Sequence, residues 1–263
     1  MTAPRWHALV LAAGRGPDDP MAKAYRVTHK CLVEIGGEPM LGRVARTLLS
    51  SPEIASVSIS IERQELLGEA LGPLARDVRF LPSAESAARS ALAAIPEDSP
   101  FPWLITTGDH PLLTPEMLRY FLAEAARSGA DLCAGLATAE TILTRFPEAR
   151  RTYLTFGPDR VSGCNLFALA SPRARPALAF WHDLEQVRKR PWRLVGAFGP
   201  VALLRFLTRT LTLAGAFALA SRRLGLVARP VLMPFAEAAV DVDKPEDKEL
   251  AEKILGERPA LPA

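Results

Sequence analysis

The stretch Ala-Leu-Val-Leu-Ala-Ala-Gly-Arg-Gly runs from Ala8 to Gly16, and Lys30 follows it just ahead of a second apolar run. An apolar run of this kind reads as a buried strand. The small residues and two glycines after it let the backbone turn tightly and approach a ligand closely. Amide groups bared in such a turn make an anion-binding concavity. A lysine brought to the same place adds a mobile point charge suited to phosphate. The chemistry these residues suggest is a strand that ends in a cradle for nucleotide phosphates.

Carboxylates further along could complete such a site. Asp109 stands in Leu-Ile-Thr-Thr-Gly-Asp-His-Pro-Leu-Leu, at the end of an apolar strand. Mg²⁺ is commonly held by one or two carboxylates plus substrate phosphates. The competing role for Asp109 is a turn residue that caps its own backbone. Asp241 and Asp243 alternate with Val240 and Val242, so both would project to one face of an extended segment. Pro245 then opens a helix, which gives Asp243 a competing role as its cap. A metal held by Asp109 and Asp243 requires the last strand to return beside the one that carries Asp109.

The elements that must position these residues follow from periodicity and caps. Strands are expected at Leu9–Ala12, Val57–Ile61, Val78–Leu81, Trp103–Thr107 and Asp131–Leu136. Helices are expected at Pro39–Leu49, Glu65–Leu74, Glu85–Ile95 and from Thr114 onward. Thr114 is a natural N-cap, with Pro115 first inside and Glu116 in the first turn. Such alternation implies an α/β fold of three layers, a mostly parallel sheet covered on both faces. Ligands then bind beyond the carboxyl ends of the strands. From Thr141 the texture changes to a basic, Pro-containing stretch around Ser-Gly-Cys-Asn-Leu-Phe at Ser162–Phe167. Helices follow from Pro172 to Leu224, then strand character at Val231–Val242 and a closing helix at Pro245–Leu255. The reading is one domain over 1–263, with 172–224 as a helical insertion.

Composition narrows the class. The chain has 263 residues, 49% hydrophobic and 23% charged, which argues against disorder. A net charge of +3 is too small to imply a nucleic-acid partner. Cys31, Cys133 and Cys164 are far apart, odd in number and without metal spacing, and read as reduced thiols of a cytoplasmic protein. The N-terminal residues lead straight into the first strand and do not read as a signal peptide. Leu194–Ala220 is unusually apolar, but Arg205 and Arg209 interrupt it, so no run reaches the ~18 residues of a spanning helix. A buried helical pair is expected there. With Arg222 and Arg223 added, peripheral membrane contact through 194–223 is the competing reading. A homodimer is left open.

The order of motifs resembles the nucleotidyltransferases of the GT-A-type, Rossmann-like fold, and most of all their molybdenum-cofactor-type branch. Four segments carry the likeness: Leu-Ala-Ala-Gly-Arg-Gly; Lys30 with Cys-Leu-Val-Glu-Ile-Gly-Gly-Glu-Pro-Met-Leu; Thr-Gly-Asp-His-Pro-Leu; and Asp-Val-Asp-Lys-Pro-Glu-Asp. The resemblance implies that Leu11, Ala12, Ala13, Gly14 and Gly16 meet base, ribose and phosphates through backbone groups. It implies that Lys30 holds the phosphates through the transition state and that Asp109 and Asp243 bind Mg²⁺. Ser86 and Ser90 occupy the region where family members contact the nucleotide, or are simply two hydroxyls one helical turn apart. Asn165 matches an acceptor-side residue, or a turn-forming Asn. Glu185 and Lys189 read first as a helix salt pair and second as acceptor ligands.

The chain departs from the family pattern in the glycine loop. Pro-Asp-Asp-Pro follows Gly16 where an arginine is usual, His29 replaces a proline before Lys30, and the loop from Pro17 to His29 is several residues longer. Arg15, Lys23 or Arg26 would have to supply the missing charge, Arg15 foremost. The expected reaction is transfer of NMP from an NTP, CTP or GTP, to a phosphorylated small-molecule acceptor. The alternatives are a GT-A-type glycosyltransferase using a nucleotide sugar, and a non-catalytic nucleotide-binding or membrane-associated module.

Overall fold

The computed structural model describes residues 4–14, 16, 18–148, 151–185 and 199–257. Its strands are β1 (Trp6–Leu11), a small hairpin of β2 (Glu34–Ile35) and β3 (Glu38–Pro39), β4 (Ile54–Ile61), β5 (Arg79–Pro82), β6 (Trp103–Thr107), β7 (Leu132–Thr138), β8 (Leu154–Phe156), β9 (Asp159–Leu169) and β10 (Ala228–Leu232). Its helices are α1 (Pro20–Ala24), α2 (Met40–Leu49), α3 (Glu65–Leu71), α4 (Ala87–Ala94), α5 (Pro115–Arg127), α6 (Ala139–Arg145), α7 (Pro176–Glu185), α8 (Pro200–Leu207), α9 (Leu213–Leu224) and α10 (Pro245–Glu257).

One sheet runs in the spatial order β10-β7-β9-β6-β1-β4-β5, with β8 paired to β9. β1 pairs parallel with β4 and β6, β4 with β5, and β10 with β7. β9 is antiparallel to β6, β7 and β8. The sheet is therefore mostly parallel, as the strand–helix alternation predicts. Side chains alternate across β1. Ala8 and Val10 pack with Leu41 and Val44 of α2, Leu66 of α3 and Phe121 of α5. Leu9 and Leu11 pack on the other face with Ala91 of α4 and Leu178 of α7. Two apolar faces, each under its own helices, make three layers.

The first half follows the sequence closely. Trp103–Thr107 is a strand as expected, and Thr114 caps α5 by accepting the Met117 amide at 3.2 Å. The second half adds one element and corrects one expectation. The segment around Ser162–Phe167, to which composition assigns no element, is part of β9, which lies between β6 and β7. Its Val161, Cys164, Leu166 and Ala168 enter one apolar cluster and Phe167 and Leu169 the other. Strand character does not run from Val231 to Val242: β10 ends at Leu232 and a 3₁₀ turn occupies Ala236–Ala239. Four small or charged residues, Ala236 to Ala239, pair poorly in a sheet. Within 172–224, α7 covers the sheet beside α4, whereas Ala202 of α8 and Leu211 form a separate small cluster with Phe156 and Phe206.

No helix among the described residues is long and apolar enough to cross a membrane.

Candidate active site

The carboxyl ends of β1, β4 and β6 open onto a cleft of about 610 Å³. Its walls include Leu11, Ala13, Gly14, Lys30, Glu62, Ser86, Ser90, Asp109, Asn165, Asp241 and Asp243. Gly108 donates to the Leu11 carbonyl at 2.9 Å, tying the ends of β6 and β1 together. A side chain on Gly108 would come within 3.0 Å of the Ala12 Cβ, so the Gly-Asp turn can approach the loop only without one. Ala12 donates to the Ser60 carbonyl and lines a smaller recess beside Lys30 and Asp109.

Lys30 opens a short 3₁₀ turn, Lys30–Leu32. Its Nζ lies 2.8 Å from Asp109 Oδ2 and 2.6 Å from Asp243 Oδ1. Burial by itself lowers the Lys30 pKa, but the charges and hydrogen bonds of Asp109 and Asp243 outweigh it and hold the pKa above the ordinary 10.5. The side chain is therefore a fixed cation throughout the neutral range.

Asp243 reaches this point because the chain does return beside β6. The Val242 amide donates to the Asp109 carbonyl at 2.9 Å. Val240 and Val242 sink into a cluster with Met21, Val33, Ile35, Met40 and Leu112, leaving the aspartates at the cleft. Asp247 Oδ2 accepts the amides of Asp243 and Lys244 at 3.1 and 3.0 Å, which fixes the turn leading into α10. From that turn the Asp243 carboxylate meets Lys30. Asp241 is held differently, by Arg151 at 2.5 Å. Burial raises the Asp241 pKa, Arg151 opposes that, and Asp109 and Asp243 add to it.

The unusual loop folds as a small unit. Asp19 caps α1 by accepting the amides of Met21 and Ala22 at 2.9 and 3.2 Å, and Met21 is fully buried. His29 is also buried. Its Nδ1 accepts the Cys31 amide at 3.1 Å, so Nε2 carries the proton and meets Glu62 Oε2 at 3.1 Å. Glu62 Oε1 in turn accepts the Gly14 amide at 2.6 Å. His29 and Glu62 thus brace the glycine loop against the turn that carries Lys30. Glu62 was not singled out from sequence, although it stands directly after the Val57–Ile61 strand, where cleft residues belong.

The remaining expected residues divide. Ser86 caps α4, accepting the Arg89 amide at 3.2 Å. Ser90 is buried rather than on a surface, and its hydroxyl bonds the Ser86 carbonyl and the Ala84 amide, both at 2.9 Å. Both line the cleft while serving the local backbone. Asn165 sits at φ 51, where the register between β7 and β9 breaks, and reaches the cleft from β9. Gly16 is not among the cleft-lining residues. Lys23 pairs with Asp18 at 2.6 Å, away from the cleft wall. Arg15 lies outside the described residues, as do the Glu185 side chain and Lys189.

The three cysteines are buried and unbridged. Burial, with Glu62 and Glu69 adding to it, pushes the Cys31 thiol up to about 12, and burial raises Cys164 as well. Because the thiolate is the reactive form, the native chain is expected to resist alkylation at pH 8 and to react at all three positions in denaturant. Rapid labelling of Cys31 in the native chain, read by mass spectrometry, would contradict the closed packing behind Lys30.

Among described residues no three His, Cys, Asp or Glu side chains form a self-sufficient metal cage. A pair of carboxylates is what remains for a cation that takes its other oxygens from phosphate and water.

The model of the MobA-like NTP transferase domain matches residues 8–194. Among solved structures, a hypothetical transferase from Thermus thermophilus is similar over 93% of this chain and 99% of its own, with 32% identity and a TM-score of 0.77. CMP:2-keto-3-deoxy-manno-octonic acid synthetase complexed with CTP aligns over 97% and 99% of the two chains, at 12% identity and a TM-score of 0.58. The 4-diphosphocytidyl-2C-methyl-D-erythritol synthase of Anaerococcus prevotii DSM 20548 aligns over 96% and 99%, at 10% identity and a TM-score of 0.55. These two share the fold. Comparison with curated proteins gave no match. Agreement with the family model over most of the chain, on a Rossmann-like sheet shared almost end to end with the Thermus transferase, makes this chain a member of the MobA-like NTP transferase domain family.

Proposed function

We propose that this chain is a Mg²⁺-dependent nucleotidyltransferase that moves NMP from an NTP, CTP or GTP, to a phosphorylated small-molecule acceptor. The observation that carries this reading is the convergence of Lys30 Nζ on Asp109 and Asp243 at the edge of the glycine-loop cleft. An acceptor phosphate oxygen bonds to the α-phosphorus while the bond to the bridging oxygen breaks, and pyrophosphate leaves. That nucleophile is anionic at neutral pH and needs no strong general base. Lys30 neutralises and orients the phosphates, with the Ala13 amide of the glycine loop and Arg15 as the proposed further donors. Ser86, Ser90 and Asn165 line the nucleotide and acceptor ends of the same cleft.

Asp109 and Asp243 would hold the metal. Asp109 Oδ1 is buried and accepts no hydrogen bond from a described residue, and two hard carboxylates suit Mg²⁺. When bound, the cation neutralises charge developing on the phosphates. We place the reaction in the cytoplasm, where three unbridged cysteines stay reduced.

The test is pyrophosphate release from each NTP with Mg²⁺ and a panel of phosphorylated metabolites. Release with CTP or GTP and one acceptor class is expected. Glycosyl transfer from a nucleotide sugar without pyrophosphate would replace this reading with the glycosyltransferase one.

Gly14→Ala probes the loop's bracing. A Cβ there would fall 2.6 Å from His29 Nε2, so the ring must leave Glu62. The expected result is a fall in kcat/KM for the nucleotide of up to ~10²-fold, from misplacement rather than lost charge. Unchanged kinetics would show that the His29–Glu62 brace is dispensable.

A further inference from the structure

Charge is segregated along this chain. Nine of its 32 basic residues and none of its 29 acidic ones lie between 186 and 236, which leaves the rest of the chain at net −6 against +3 overall. The described part of that segment contains a helix face with three exposed large aliphatic side chains. On α8, Val201, Leu204 and Leu207 are 68, 62 and 63% exposed, while Ala202 and Phe206 pack inward against Leu211 and Phe156. At 100° per residue the exposed three span one arc, and Arg205 stands at its edge. Arg209, just past the helix, and Arg222 and Arg223 on α9 are exposed as well. Neither α8 nor α9 contributes to the nucleotide cleft.

We infer that this face docks on an anionic lipid surface, with Val201, Leu204 and Leu207 entering the headgroup boundary and the arginines meeting lipid phosphates. Charge complementarity carries the choice of occupant. A stripe of bare aliphatic side chains with Arg205 and Arg209 at its edge, where Asp159 at the Leu213 amide is the neighbouring carboxylate, is the pattern of a helix that lies in a membrane interface. Nucleic acid satisfies the arginines but gives nothing to three aliphatic side chains. A second copy docked face to face would oppose arginine to arginine. Lipid serves both halves of the patch. The docking is independent of nucleotide, so it stands or falls separately from the proposed transfer reaction.

The experiment is sedimentation of the full chain with phosphatidylcholine vesicles, with and without phosphatidylglycerol, at low and high salt. Binding to phosphatidylglycerol vesicles at low salt, released by salt and weak on neutral vesicles, is expected. Val201→Ser with Leu204→Ser is expected to weaken binding ~10-fold or more. Arg205→Ser and Arg209→Ser should each weaken it roughly fivefold. Circular dichroism and pyrophosphate release in these variants should match the parent, because none of the residues touches the cleft. The inference is overturned by absence of binding at low salt, by equal binding to neutral vesicles, or by serine variants that bind like the parent. It is also overturned if duplex DNA competes the chain off the vesicles at equal phosphate concentration, or if ultracentrifugation shows a dimer that only the serine variants lose.

Discussion

Lys30→Ala is expected to reduce pyrophosphate release by ~10²–10³-fold with little loss of stability. Lys30 Nζ is the cation on which the two carboxylates converge, at 2.8 and 2.6 Å, and its raised pKa keeps it charged at neutral pH. Its side chain is 14% exposed, so its position is set by the surrounding protein. Asp109 and Asp243 are 24% and 41% exposed and can rehydrate when it is removed. The net cost to folding is then about 1 kcal/mol, a shift of roughly 2–4 °C for a chain of this size. Lys30→Arg keeps the charge but replaces a compact ammonium with a planar fork that does not fit the same two contacts, so it should rescue poorly. A folded Lys30→Ala variant with more than a tenth of parental activity would remove Lys30 from the chemistry.

Asp109→Asn is the second large effect. It removes one of the two carboxylates proposed to hold Mg²⁺ and leaves a neutral amide at position 109 facing the Lys30 ammonium. Turnover is expected to fall by a similar ~10²–10³-fold. The discriminating readout is metal affinity: Mn²⁺ binding in the presence of nucleotide, followed by electron paramagnetic resonance, should weaken in Asp109→Asn and in Asp243→Asn. A variant that loses turnover but binds Mn²⁺ like the parent would limit Asp109 to positioning Lys30. A variant that keeps turnover sinks the assignment. Tm should not fall much in either variant, because each removes one of two like charges that converge on one site.

The glycine loop, Lys30 and Asp109 are legible in sequence because each is a local event at the end of an apolar strand. Thr114–Pro115 is legible for the same reason: cap, fixed φ and acidic first turn are adjacent in the chain. β9 is harder to read because Gly163 and Asn165 interrupt its alternation, and because an antiparallel strand amid parallel neighbours follows no strand–helix rhythm. Glu62 and Arg151 are invisible as site residues until their partners are known. Glu62 matters through Gly14 and His29, and Arg151 through Asp241, none of them near in sequence.

The opening stretch shows where the division lies. Ala8 to Gly16 alone determined a buried strand and a tight, ligand-approaching turn, since hydrophobic run and small residues act over a few positions. Together with the later motifs it pointed to the family. Only the tertiary structure decided that Asp243, 213 positions from Lys30 in the chain, stands beside it. That placement depends on Val240 and Val242 burying themselves against Met21 and Leu112, on the Val242 amide reaching the Asp109 carbonyl, and on Asp247 fixing the turn before α10. The unusual Pro-Asp-Asp-Pro loop was likewise only an oddity in sequence. Packed, it is a short capped helix whose Met21 fills the same apolar cluster as the valines beside Asp241 and Asp243. Burial is shared between segments more than 200 residues apart, and no local pattern encodes it.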